Sequence, residues 1–154
     1  MRYDTLVPNG NRKRPESVLV IVYTPDQKTL LLRRAGNPFW QSVTGSLLWD
    51  EEHPETAARR EVEEETGIVS TSGWRDWRIA RSFMILPDYR YRYGPGITHN
   101  REHVFSLEVP EIRDVQLNPR EHTAGEWVAM DDALQRLWSW TNRTALTQLM
   151  RELV

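Results

Sequence analysis

Residues 45–68 read GSLLWDEEHPETAARREVEEETGI, a loop passing into a stretch dense in glutamate and arginine. Pro54 suits the first position of a helix, where its missing N–H costs nothing, and Glu55 favours the positive end of the helix dipole. Gly67 suits the C-terminal cap after Thr66, so the pattern predicts a helix over 54–66.

Between Asp50 and Glu65 stand eight acidic residues and only Arg59 and Arg60 in opposition, a formal charge of −6 in a chain whose total is −2. The rest of the protein is therefore formally +4, and the negative charge is concentrated in one segment. At about 100° per residue on a helix, Glu61, Glu64 and Glu65 fall on one face with Ala57, while Arg59 and Glu63 point away. Converging carboxylates suit a hard divalent cation, which takes oxygen ligands and is often shared with substrate phosphates. Glu52, just before the helix, could add a fourth carboxylate. The same composition also fits a solvated helix face with Arg59–Glu63 and Arg60–Glu64 pairs at i,i+4 spacing, and the pattern alone leaves both readings open. With no cysteine in the chain, thiolate sites, disulfides and thiol nucleophiles are excluded, so any metal must be bound by oxygen or imidazole.

Outward from this segment, Ser17–Thr24 and Thr29–Arg34 are apolar and β-branched and are separated by Pro25-Asp26-Gln27-Lys28, which predicts a hairpin. Trp40–Thr44 reads as one short strand ending at Gly45. Gly73–Leu86 and His99–Val109 read as strands around a loop rich in glycine and proline, and Glu126–Met130 as another. Asp131 is a candidate cap for a short helix over 132–137, and Thr141 for a terminal helix running to about Leu153. Strands and helices without strict alternation argue for a mixed α/β (α+β) sandwich.

A length of 154 residues with 39% hydrophobic content fits one globular domain over 1–154, with residues 1–13 as a loose N-terminal arm. The longest apolar run, Val18–Tyr23, is far too short to cross a bilayer, and the N-terminal stretch lacks the apolar core of a secretory signal. A cytoplasmic protein is expected, with no membrane partner. No basic face suits a nucleic acid polymer. A monomer or homodimer is the expected assembly.

Gly45, Glu52, Arg60-Glu61-Val62, Glu64-Glu65 and Gly67-Ile68 resemble the Nudix box, G-x5-E-x7-R-E-U-x-E-E-x-G-U, where U is a bulky apolar residue. Its right half fits without gaps. In its left half six residues rather than five precede Glu52, and Trp49-Asp50-Glu51 stand where the family has a Glu-x-Gly turn. The resemblance implies an αβα sandwich with a mixed central sheet and a loop–helix–loop catalytic element. It also implies magnesium, with manganese as a substitute, bound by Glu61, Glu64, Glu65 and Glu52 across a diphosphate. Arg60 would orient the glutamates, and Gly45 would begin the loop.

Phe39–Ser46, Arg92-Tyr93, Thr98, Asn100, Glu102, Glu121-His122 and Trp140–Arg143 are similar to the branch of that family which hydrolyses 7,8-dihydroneopterin triphosphate to the monophosphate and pyrophosphate. That likeness implies a metal-ligating or basic role for Glu121. His122, as a lone histidine, is read as structural. Trp40, Gln41, Gly45, Arg92, Trp140, Asn142 and Arg143 are the candidate contacts to substrate, a small-molecule triphosphate carrying a pterin or a nucleotide. Two alternatives stand beside this reading: a Nudix pyrophosphatase for purine nucleotides, oxidised ones included, and a catalytically silent Nudix-fold module that only binds a ligand.

Overall fold

The computed structural model describes residues 12–153. Strand β1 (Glu16–Tyr23) is the centre of the molecule and is buried along nearly its whole length. Around it lie β2 (Lys28–Arg34), β3 (Trp40–Gln41), β4 (Val43–Ser46), helix α1 (Pro54–Thr66), β5 (Trp74–Met84), β6 (His99–Glu108), β7 (His122–Ala129), helix α2 (Met130–Arg136) and helix α3 (Trp140–Glu152). A 3₁₀ turn, Pro87–Arg92, occupies the loop between β5 and β6.

The seven strands form one mixed sheet. β6 runs parallel to β1, and β5 runs antiparallel to β6 at the edge. Period-two alternation explains why β1 must be apolar throughout. Val18, Val20 and Val22 pack with Ala57, Ala58 and Val62 of α1 on one face. Leu19, Ile21 and Tyr23 pack with Met130, Ala133, Leu146 and Leu149 of α2 and α3 on the other. Each such large side chain removed from water stabilises the fold by roughly 1.5–3 kcal/mol before entropy is counted. The αβα sandwich with a mixed sheet is therefore the architecture the sequence led us to expect.

Several local expectations change. The 17–34 hairpin is paired only next to its turn, at Tyr23 and Thr29. Beyond that point the strands diverge: β4 takes the β1 edge and β7 takes β2. The strand expected over 40–44 is two strands broken at Ser42, one pairing β2 and the other β1. β7 begins four residues earlier than expected, at His122. Ser139, not Thr141, caps α3, its hydroxyl accepting from the Asn142 N–H; α2 starts at Met130, with Asp131 inside its first turn. Of residues 1–13, expected as a loose arm, residues 1–11 lie outside the described residues, while the Lys13 N–H donates to the Arg92 carbonyl at 2.8 Å. Among the described residues no helix is long and apolar enough to cross a membrane.

Candidate active site

Helix α1 has the predicted ends. Pro54 opens it, and Gly67 closes it in the left-handed region (φ 78°) with its N–H donating to the Glu63 carbonyl. Ala57, Ala58 and Val62 bury one stripe of the helix in the core, and this seating fixes the rotation that presents the acidic face to β4. Glu65 is itself nearly buried at 3% exposure. Of the two pairs expected for a solvated face, Arg60–Glu64 forms at 3.1 Å, whereas Arg59 turns back to Glu55.

Arg60 organises the loop–helix junction. Its guanidinium donates to both oxygens of Glu51 (2.9 and 3.1 Å), to Glu61 (2.7 Å), to Glu64 (3.1 Å) and to the Ser46 carbonyl (3.0 Å). These partners hold its pKa above the ordinary guanidinium value, the Glu51 hydrogen bond foremost. Glu51 also accepts from the Leu48 N–H at 2.7 Å, which closes the loop on itself. Glu52, by contrast, is exposed. The expectation for Glu52 is thus corrected: the extra residue of the loop lies after the glutamate that binds Arg60 rather than before it, and Gly45-x5-Glu51 restores the left-hand spacing. That alternative alignment was the available signal.

Gly45 lies against the Glu61 carboxyl, and Glu61 is pushed up to about 7 by burial, with Arg60 opposing and Glu64 and Glu121 adding like charge. Burial, reinforced by Glu61 and Glu121, drives Glu65 well above the carboxylate range against a hydrogen bond from the Thr44 backbone. His122, at the start of β7, brings Nε2 to 3.4 Å from Glu65 and is held down to about 4 by burial and by Arg34, so its ring is neutral at pH 7. Glu65, Glu121 and His122 each offer a ligand atom within 4.8 Å of the others, and Glu65 Oε2 has no hydrogen-bond partner among the described residues. Carboxylates whose charged forms are disfavoured by burial and mutual repulsion, together with a buried orphan oxygen and a neutral imidazole, fit the donor set of a divalent cation. Glu121 is exposed, on the loop ahead of β7, and Glu64 is exposed on the rim of α1.

This acidic wall belongs to a cleft of about 560 Å³ whose other lining includes Arg12, Lys13, Arg14, Arg34, Arg92 and Arg120. A second chamber of about 300 Å³ shares Lys13, Arg34, Gln41, Thr44, Gly45, Ser46 and Arg92 with it, and is walled by Phe83, Ile85, Trp138 and Trp140. One chamber is charged on both signs, the other largely apolar, and they share a wall along β3 and β4. Of the expected substrate contacts, Gln41, Gly45 and Arg92 line both chambers and Trp140, Asn142 and Arg143 line the apolar one.

Trp40 does not line either chamber and is corrected: it packs against the α2–α3 core, with the Arg136 guanidinium 4.2 Å over its ring. Trp138 takes the position expected for it, stacked on Phe39 at 4.5 Å and donating from Nε1 to Gln41 Oε1. Asn142 has a structural task as well. Its Oδ1 accepts from the Ser42 N–H and its Nδ2 donates to Ser139, so it ties the β3–β4 break to the start of α3. The sequence reading missed Arg34 and Trp138, and it gave Asn100 and Glu102 no role beyond their share in the family likeness; the approach of all four to one cavity is set by tertiary pairing.

Residues 13–149 match the model of the NUDIX domain. The chain is 40% identical over 143 residues to the dihydroneopterin triphosphate diphosphatase of Escherichia coli K12, covering 90% of this chain and 93% of that protein. It is 37% identical to the enzyme of the same name from Haemophilus influenzae, covering 90% and 89%. The solved E. coli dihydroneopterin triphosphate pyrophosphohydrolase superposes with a TM-score of 0.83 at 38% identity, over 89% of this chain and 95% of that one. On its box, its fold and these likenesses, the chain belongs to the Nudix family.

Proposed function

We propose that this protein hydrolyses 7,8-dihydroneopterin triphosphate to dihydroneopterin monophosphate and pyrophosphate in the cytoplasm, using magnesium held by Glu61, Glu64, Glu65 and Glu121, with manganese as a substitute. The observation that carries this reading is the shared wall of the two chambers, which sets an apolar space of about 300 Å³ beside the glutamate cluster. A bound divalent cation would neutralise the diphosphate and hold attacking and leaving oxygens in line. The chain's own residues do the rest. Arg34, Arg92 and Arg120 offer guanidinium donors to the phosphate oxygens. Arg60 fixes Glu61 and Glu64, and His122 faces Glu65 from the opposite side. Glu121, exposed at the cleft, accepts the proton of the attacking water. The phosphoanhydride bond between the α and β groups breaks, and pyrophosphate leaves.

The test is pyrophosphate release from dihydroneopterin triphosphate and from the common nucleoside triphosphates, with magnesium and with chelator. Fast magnesium-dependent release from the pterin establishes the proposal. Preference for a purine nucleotide selects the nucleotide pyrophosphatase instead, and no release from any substrate leaves a ligand-binding module.

A further inference from the structure

Two nearly buried polar side chains that the hydrolysis does not use line the apolar chamber. Asn100 is 2% exposed and Glu102 is 4% exposed. They stand two residues apart on β6, and so on the same face of the strand, and both line the chamber. Asn100 Nδ2 donates to Ser17 Oγ at 2.7 Å, which leaves Oδ1 as the free acceptor. Neither Asn100 Oδ1 nor Glu102 Oε1 has a hydrogen-bond partner among the described residues. The Thr141 hydroxyl satisfies part of the Glu102 carboxyl, and Arg81 acts on it only through the field, without an ion pair.

An unsatisfied buried carboxylate is costly, and native proteins retain one where a ligand completes it. Around these two acceptors the walls are aromatic and aliphatic, as a flat ring requires, and the phosphate-binding cleft opens beside them. Two acceptors on one wall of an aromatic-lined chamber match a ring edge that presents two adjacent donors. Resting on the reaction proposed above, we propose that Glu102 and Asn100 form the specificity subsite of this enzyme, reading the ring N–H and exocyclic amino group of a 2-amino-4-oxo-pyrimidine edge. Burial pushes Glu102 up to about 7, so binding of such an edge draws the carboxyl to its charged form and releases a proton near neutral pH. Adenine, which offers an acceptor where this edge has its ring N–H, leaves the carboxylate unpaired and is rejected. A hypoxanthine ring keeps the N–H but lacks the amino group, and satisfies one of the two acceptors.

The experiment measures ring binding without turnover: quenching of neopterin fluorescence on the full chain in chelator, for wild type and Glu102→Gln, with melting curves to check that the variant folds. Saturable neopterin binding weakened by about 10- to 100-fold in Glu102→Gln is expected, the loss typical of a hydrogen bond to a charged group. A second arm needs no variant: guanosine should displace neopterin from wild type at least about tenfold better than inosine, because an unmet acceptor is left only with inosine. Absence of neopterin binding by wild type, equal affinity in the variant, or equal displacement by the two nucleosides overturns the subsite. If neopterin binds as expected while dihydroneopterin triphosphate is not hydrolysed, the subsite stands and the proposed reaction falls.

Discussion

The carboxyl group of Glu61 occupies the space where a side chain on residue 45 would begin: a Cβ built on Gly45 would lie 2.0 Å from Glu61 Cδ and 2.3 Å from Oε2. The requirement for glycine at the start of the catalytic loop is therefore steric and comes from the helix. Gly45→Ala must swing Glu61 out of the cluster while the core of β1 and α1 stays intact. Magnesium-dependent turnover should fall by about 100-fold or more, the size of losing a positioned charge at the reacting centre, with far-UV dichroism unchanged. Wild-type turnover in Gly45→Ala would show that Glu61 has no part in the chemistry.

Glu51 and Glu52 are adjacent and chemically identical, yet Glu51 grips Arg60 through both oxygens while Glu52 stands in solvent. Glu51→Gln should destabilise the protein by about 1–3 kcal/mol, the cost of leaving part of a half-buried guanidinium unpaired, and lower turnover through the loosened loop. Glu52→Gln should alter neither melting temperature nor turnover beyond about twofold, as surface substitutions do. The reverse ranking would return the box glutamate to position 52.

This pair also marks where the sequence stopped being legible. Helix α1 and its acidic face could be read because cap residues, periodicity and charge are local signals, and β1 because a strand covered on both faces is apolar at every residue. Which side of Glu51 the extra loop residue falls on is not local, since it depends on how far Arg60 reaches. Trp40 lies inside a stretch that resembles the family while Trp138 lies just outside one, yet the pairing of β3 with β2 seats Trp40 against the core and Trp138 lines the cavity. Asn100 and Glu102 sit in a strand whose alternation reads as solvent-facing polarity. Their burial is tertiary: Asn100 meets Ser17 of β1, and Glu102 meets Thr141 at the start of α3.

Glu64 differs from Glu61 and Glu65 in being exposed, with its side chain at 56% accessibility and an ion pair to Arg60. Glu64→Gln should leave the melting temperature within a degree or two, because an exposed ion pair contributes about 0–1 kcal/mol. Turnover should nevertheless drop by about 100-fold or more if the carboxylate holds the cation, with the magnesium concentration for half-maximal rate raised. Near-normal turnover at unchanged magnesium dependence would remove Glu64 from the ligand set.

Glu102 and Glu61 make the protein's stability depend on pH in a direction opposite to that of ordinary salt-bridged acids. Both are raised from the usual 4.5 to about 7 in the folded state, chiefly by burial. The folded protein therefore holds these protons more tightly than the unfolded chain, and the corresponding stability is fully present below about pH 4.5 and lost as pH rises through 7. Each group contributes about 3 kcal/mol across that window. In chelator the melting temperature should fall by several degrees between pH 5 and pH 8. Magnesium should reverse the part due to Glu61 and to Glu65, which is raised beside it, since a bound cation favours the charged carboxylates, while the part due to Glu102 should persist and vanish only in Glu102→Gln. A melting temperature that is level across this range in chelator, or one that magnesium restores completely in the wild type, would mean that the Glu102 carboxyl is already satisfied in the folded protein.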